Sequence, residues 1–572
     1  MPGRAPSKRA DCSSRFPHRR EPRDPVTLKS KGGPDVTRDD AMATLTAPGM
    51  PFEIRTEPVR GHDLEVFAHR QRSLGELLRA SRAHGDTEYL VTEEARITFA
   101  EHARDVAALA AALREDYGVR KGDRVALCGR NSPEWIIAFW ATVSLGAVAV
   151  GMNSMWAEQE MSYGLDLTEP TVLFADAPRR ALCGAPGVPV VAFETGVAEA
   201  IARHRGAALP DEAVDEDDPA VVLFTSGTTG RPKGATHSHR NMIAAVWFHL
   251  LNDAVATELG RPPSGRRFLL ATPLFHIAGL HNLAVVRLVV GDTAVLHTGK
   301  FEPDAVLRLI EKERVTNWGA VPTMLSRILD ADLSGYDLTS LRTVTVNSAP
   351  SSGALRDKLR AALPDAAASL GTSYGLTESS TAATLASPAE ALADPTGVGR
   401  PIPTMRVEVR DTAGRRVPDG VEGEICLHGV HVMLGYWRNP EATAESTTSD
   451  GWFRTGDLGT MRDGLLSISA RRSDLVIRGG ENVYPAEVEN QILLHDAVSE
   501  CAVVGVASED LGQEVAAVVV TRVGTMLTEN DLREHLRPRL ARYKVPTVWR
   551  ITSDPLPRNA TGKVKRAELS VR

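Results

Sequence analysis

An α/β fold is predicted by three observations: a length of 572 residues, apolar runs that alternate with helical patterns, and a change to shorter strands with denser turns after Pro403. The length exceeds what one hydrophobic core serves, so two or more domains are required. Strands alternating with helices imply parallel sheets in layers. The expected architecture is a large N-terminal domain of layered α/β subdomains plus a small β-rich subdomain, followed by a small α+β C-terminal domain beyond Asp474.

Each element follows in chain order. The first 41 residues hold ten Lys or Arg and six Asp or Glu among many Pro, Gly and Ser, with almost no apolar periodicity. Residues 1–45 are therefore read as a disordered extension. A signal peptide needs an apolar stretch that is missing there, a transit peptide would be poorer in acid, and Met42 offers an alternative start. Strands are expected at 125–128, 172–174, 221–224, 268–270, 295–296 and 344–346. The most apolar stretch, 135–152, reaches the length of a membrane span. Ser132 as N-cap, Pro133 at the first helical position and Gly146 as terminator instead predict a buried helix followed by a strand over 147–150. Strands over 406–409 and 424–427 build the β-rich part. Helices over 486–494 and 530–540, with strands over 502–506 and 515–520, complete the C-terminal unit.

Composition excludes several function classes. With 42% apolar and 24% charged residues the chain is globular, and a net charge of −7 gives no general electrostatic reason to bind nucleic acid or an anionic membrane. The five cysteines are scattered singly, without the pairs that would suggest zinc or a disulfide framework, so a reducing, cytoplasmic compartment is expected.

The strongest motif is Thr225-Ser226-Gly227-Thr228-Thr229-Gly230-Arg231-Pro232-Lys233-Gly234, directly after the apolar strand 220–224. Glycines let backbone amides approach phosphate oxygens, hydroxyls add neutral donors, and Lys233 adds a compact positive charge. Such a loop cradles a triphosphate. Its spacing is not that of a P-loop, since Gly227 and Gly230 are three apart and Gly follows Lys233.

This loop resembles the signature of the adenylate-forming superfamily: acyl-CoA synthetases, luciferases and peptide-synthetase adenylation domains. The likeness recurs in order over roughly residues 75–570 and is closest to fatty acyl-CoA ligases. It implies domains at 46–472 (AMP-binding adenylation domain) and 475–572 (mobile C-terminal lid domain), with a hinge at 473–474 where Ser473 replaces the usual Asp or Lys. Thr372-Ser373-Tyr374-Gly375-Leu376-Thr377-Glu378 resembles the motif whose aromatic ring packs on adenine and whose acid reaches Mg2+; a hard cation wants the carboxylate of Glu378 beside the Thr377 hydroxyl. Thr455-Gly456-Asp457 resembles the ribose-binding motif, in which two carboxylate oxygens suit a vicinal diol, and Arg471 shares that task.

Lys563, in Pro557-Arg558-Asn559-Ala560-Thr561-Gly562-Lys563, corresponds to the family's catalytic lysine, and His276 to the aromatic gate beside the acyl site. A mobile ammonium bridging a carboxylate and an α-phosphate lowers the barrier to joining two anions. Gly479 and Gly480 would line the coenzyme A channel. Trp247, Val321 and Asn347 would wall the acyl pocket, and Ser348, Ala349 and Pro350 would border the nucleotide. Asn347 and Ser348 add bulk where many relatives have glycine, which predicts a medium-length or compact ring acid.

The resemblance thus implies an acyl-CoA ligase using ATP, Mg2+ and coenzyme A on small-molecule substrates. No nucleic acid and no transmembrane segment are expected, and a homodimer stays open. The alternatives are an acyl-AMP ligase that loads a carrier protein and a non-catalytic nucleotide-binding protein; a luciferase-like oxidase is a rarer use of the same scaffold.

Overall fold

Strands whose residues are apolar on both faces pair in parallel under helical cover, since neither face tolerates water. The body contains two such sheets. The computed structural model describes residues 36–184, 186–225, 231–346, 353–394, 396–471, 474–478, 481–508, 511–559 and 562–571, with Arg471 by its backbone alone. Among them, the first sheet runs Gly435–Tyr436, Lys233–Ser238, Pro219–Thr225, Val148–Gly151, Arg124–Cys128, Val172–Ala175 and Val190–Ala192. Its last five strands are parallel and its first two pairings antiparallel. The second sheet runs Thr343–Val346, Asn317–Ala320, Arg267–Leu270, Thr293–Leu296, Glu88–Val91 and Arg96–Thr98, parallel except at its last pair.

The apolar stretch after Ser132 is a core helix. Ser132 Oγ accepts from the Trp135 amide, Pro133 opens the helix Pro133–Ser144, and Trp135, Phe139 and Trp140 are fully buried. Strand Val148–Gly151 follows it. No helix among the described residues is long and apolar enough to cross a membrane.

A third, antiparallel sheet accounts for the β-rich part, in the order Thr372–Gly375, Ala382–Ala386, Gly397–Pro401, Leu465–Arg471, Phe453–Arg462, Gly423–Gly429 and Met405–Arg410. The C-terminal domain pairs Val498–Ser508 with Gly512–Thr521 and backs the sheet with helices Pro485–Ile492 and Glu529–Leu536. Strand Val548–Thr552, not anticipated from the sequence, adds in parallel to Gly512–Thr521.

One expectation is corrected at the N-terminus. Disorder was expected through residue 45, yet Arg38–Thr46 is a helix. Thr37 and Asp40 form a capping box, Ala41 and Leu45 one turn apart are buried, and Arg38 Nη2 donates to Asn252 Oδ1 at 2.5 Å. The charged composition of the surrounding segment hid a short cap-plus-apolar-pair signal that packs on the long helix His239–Glu258.

Several buried histidines are held neutral. Burial takes His102 down to about 3, and His239 and His431 down to about 4. Unfolded, each ring titrates near 6.5, so below that pH the unfolded chain binds protons that the folded chain refuses. Stability should therefore be flat above pH 7 and fall as pH drops from 6.5 towards 4, by up to about 1.4 kcal/mol per pH unit for each ring. Thermal melts at pH 7.5, 6.5, 5.5 and 5.0 check this, and a melting temperature unchanged across that range contradicts it.

Candidate active site

The glycine-rich segment joins two paired strands rather than a strand and a helix. Thr225 and Lys233 are cross-strand partners, so the ladder closes directly beneath the loop and Lys233 stands at its foot. Ser226, Gly227, Thr228, Thr229 and Gly230 lie outside the described residues. Strand Lys233–Ser238 also pairs with Gly435–Tyr436, which sets Tyr436 opposite Ala235. Lys233 Nζ lies 5.2 Å from the centre of the Tyr436 ring, and the Tyr436 hydroxyl donates to Glu378 Oε1 at 2.8 Å. A cation and a carboxylate from distant segments are thus joined through one aromatic side chain. Tyr436 is the linking residue that sequence reasoning missed; its signal was the Gly435-Tyr436-Trp437 tripeptide, in which Gly435 has φ +143° and a β-carbon there would meet Thr443 at 2.7 Å.

Glu378 sits in the 3-10 turn Thr377–Ser379, buried, with Thr377 half-buried beside it. Among the described residues no cluster of three or more His, Cys, Asp or Glu could hold a metal by protein ligands alone. That donor set fits Mg2+, which keeps water and phosphate oxygens and takes one or two carboxylates.

The adjoining strand Thr372–Gly375 carries Thr372, Ser373 and Tyr374. The Tyr374 hydroxyl donates to Asp457 Oδ2 at 2.7 Å, both side chains being 7% exposed. Asp457 is presented by a bulge. Glu424 pairs with Leu458 and Cys426 with Arg454, so Thr455, Gly456 and Asp457 stand against Ile425 alone, and Gly456 adopts φ +72° to allow it. The Glu424 carboxylate accepts from the Gly456 amide, and the Thr455 hydroxyl donates to the Ile425 carbonyl. Arg471 is the ladder partner of Asp457.

The C-terminal domain meets the body near Thr323 and His276. Gly562, at φ +77°, lies so close to Thr323 that a β-carbon there would meet Thr323 Oγ1 at 2.4 Å. The loop is braced from within its own domain. Arg558 donates to the Gly562 carbonyl and to Glu500 at 2.7 Å each, and the Lys563 amide donates to Asn559 Oδ1 at 2.9 Å. Lys563 is close enough for its charge to act on His276: burial first, and the Lys563 ammonium second, bring that imidazole down to about 3. The ring is neutral at pH 7, and its Nε2 is buried without a partner among the described residues. A second bond between domains runs from the Tyr484 hydroxyl to Glu422 Oε1 at 2.6 Å.

Other expected positions divide. Val321 is buried two residues before Thr323, close to the point where Gly562 docks. Trp247 is a correction. Its indole donates to Gln71 Oε1 at 3.0 Å, and its ring packs on Phe52 and Phe67 with centroids 5.5 Å apart in both pairs. At 3% exposure the side chain is packed in the core. Asn347, Ser348, Ala349, Pro350, Ser473, Gly479 and Gly480 lie outside the described residues. Asp474, beside the expected hinge, pairs with Arg566 at 3.3 Å, and Arg566 also holds Glu489 at 2.6 Å.

Known proteins resemble this chain in sequence and fold. Residues 77–437 match the AMP-binding enzyme family, and residues 487–563 match the AMP-binding enzyme C-terminal domain. The chain is 37% identical to a feruloyl-CoA synthase of an Amycolatopsis species over 479 residues, covering 83% of this chain and 93% of that protein. It is 35% identical to a long-chain-fatty-acid–CoA ligase of Mycobacterium tuberculosis over 465 residues, covering 79% and 88% respectively. Among solved structures, the o-succinylbenzoate CoA synthetase of Bacillus subtilis, in complex with its acyl-adenylate intermediate, superposes with a TM-score of 0.76 at 29% identity over 87% of this chain and 98% of that one. With both domains matched, the chain belongs to the AMP-binding enzyme family of the adenylate-forming superfamily and is an AMP-forming acid–thiol ligase that uses ATP, Mg2+ and coenzyme A.

Proposed function

We propose that this ligase activates a compact, ring-bearing hydrophobic carboxylic acid as its acyl-adenylate and transfers the acyl group to coenzyme A. The observation that carries the catalytic part is the docking of the Gly562-Lys563 loop against Thr323, which brings the Lys563 ammonium close enough to act on His276, the proposed acyl gate. In the first half-reaction a carboxylate oxygen attacks the α-phosphorus of ATP and pyrophosphate leaves. Lys563 lies between the two anions and stabilises the charge that develops as they join. In the second, the coenzyme A sulfur attacks the acyl carbonyl, AMP leaves, and the thiol proton goes to solvent or to the departing phosphate. Mg2+, when bound with ATP, neutralises phosphate charge. Glu378, held by Tyr436, would be the carboxylate that receives it, and Tyr374 with the Asp457 carboxylate would hold the adenosine. Neutral His276 acts as a wall and gate rather than a charge partner, because an imidazolium beside Lys563 would be repelled.

The ring acid is favoured by the substrates after which the feruloyl and o-succinylbenzoate relatives are named and by the bulk of Asn347 and Ser348. A medium- to long-chain fatty acid is the second reading, favoured by the Mycobacterium relative.

ATP–pyrophosphate exchange across a panel of ring and straight-chain acids, followed by AMP release with and without coenzyme A, tests this reading. Exchange with ring acids and a coenzyme A-dependent rise in AMP release are expected; exchange indifferent to coenzyme A would point to a carrier-protein acceptor. Lys563→Ala should lower adenylate formation by about 10²–10³-fold while thioester formation from supplied acyl-adenylate persists. Equal loss of both half-reactions would remove Lys563 from the adenylation step. Tyr436→Phe keeps the ring beneath Lys233 and loses the bond to Glu378. It should raise the Mg2+ concentration for half-maximal exchange by about tenfold, the scale of one hydrogen bond to a charged group; an unchanged magnesium midpoint would count against that coupling.

A further inference from the structure

The turn Thr377–Ser379, which carries Glu378, is held from one strand face at two points. Side chains alternate across a strand, so Lys233, Ala235 and His237 share a face of Lys233–Ser238, and Tyr436, the cross-strand partner of Ala235, shares it with them. Tyr436 reaches the Glu378 carboxylate. His237 reaches two residues further along the chain: its Nδ1 lies 2.8 Å from the Ser380 hydroxyl. Ser380 caps the turn, its amide donating to the Thr377 carbonyl at 3.2 Å, and its φ of +61° is a left-handed conformation that a serine adopts only at a cost.

A second imidazole bears on the same residue. After one turn over Ile277–Gly279, the chain leaving His276 widens into a π-helix, Leu280–Val285, a form found mostly at functional sites. From it His281 Nδ1 approaches the Ser380 carbonyl at 3.1 Å; a carbonyl only accepts, so the His281 proton sits on that nitrogen. The two rings pack edge to face with centroids 4.9 Å apart. His237, His281 and Ser380 are each at most 1% exposed, and Nε2 of both rings is buried without a hydrogen-bond partner among the described residues. A core gains nothing from such rings, because an unpaired buried nitrogen costs free energy that a leucine would not. What the two rings secure is one backbone position, two residues past the carboxylate.

We propose that His237 and Ser380 are positioning residues for the metal: their bond, braced by His281, fixes the left-handed end of the Thr377–Ser379 turn and so sets the direction in which Glu378 presents its carboxylate to the Mg2+ carried by ATP. This rests on the assignment of Mg2+ to Glu378 above. Neither residue touches the ion, and no covalent step is involved.

The full chain is titrated with ATP by calorimetry, without acid or coenzyme A, once with Mg2+ and once with EDTA; the ratio of the two dissociation constants is the gain in affinity that the metal supplies. His237→Leu keeps the bulk and removes the nitrogen, and Ser380→Gly keeps the left-handed backbone and removes the hydroxyl. Each should cut the gain by about tenfold, the usual effect of losing a group that orients a metal-binding side chain, while ATP affinity in EDTA stays unchanged. His237→Asn, whose amide reaches the place of Nδ1, should keep the gain. Melting temperatures report folding, and Ser380→Gly decides the matter if His237→Leu does not fold. An undiminished gain in Ser380→Gly, even with weaker ATP binding overall, or a His237→Asn variant as impaired as Ser380→Gly, overturns the inference while leaving Glu378 in its role. A gain that survives Glu378→Gln removes the metal from Glu378, and this inference falls with it.

Discussion

The hydrogen bond from Tyr436 to Glu378, with Lys233 over the same ring, is the constraint on which the rest of the site depends. A lysine and a glutamate placed in direct contact would satisfy one another and offer little to a phosphate or a metal. Joined through a tyrosine, each is positioned by the other's segment while both charges remain available. Three stretches far apart in sequence are tied together by this one residue, and strand pairing rather than loop packing fixes its place: Tyr436 lies opposite Ala235, two residues after Lys233. The Tyr374–Asp457 bond repeats the device, an aromatic hydroxyl steadying a buried carboxylate.

Much of the fold was legible because its strands are apolar on both faces. Runs such as Val125 to Cys128 and Val172 to Ala175 are buried throughout, and such runs leave few alternatives to a covered parallel sheet. The buried helix over Pro133–Ser144 was legible from its cap and proline. The short strand Val548–Thr552 was not, since half-buried residues next to a charged, proline-containing segment carry no clean alternation. At the site, residues inside long motifs were readable from order and spacing, whereas Tyr436 was not, because its importance arises from a cross-strand pairing that no local pattern encodes. Trp247 failed for the opposite reason. A large aromatic on an apolar helix serves a core as readily as a pocket, and only the positions of Gln71, Phe52 and Phe67 decide between them.

Between the two domains the described bonds are few and small: Tyr484 to Glu422, and the close approach of Gly562 to Thr323. A single hydrogen bond contributes on the order of 1 kcal/mol. The Lys563 loop, by contrast, is held within its own domain by Arg558, Asn559 and Glu500. The loop that carries the lysine is thus braced by residues of its own domain and not by the body it faces.

The N-terminal helix has a practical bearing on how the protein is made. Met42 lies inside it, downstream of the capping threonine and of the arginine that reaches Asn252. A polypeptide translated from Met42 would keep Leu45 but lack Thr37, Arg38 and Asp40, so the last turn would fray and bare one flank of the helix His239–Glu258 to water. Choosing a start codon, or a junction for a fusion tag, thus becomes a decision about whether the outer edge of the main core is sealed.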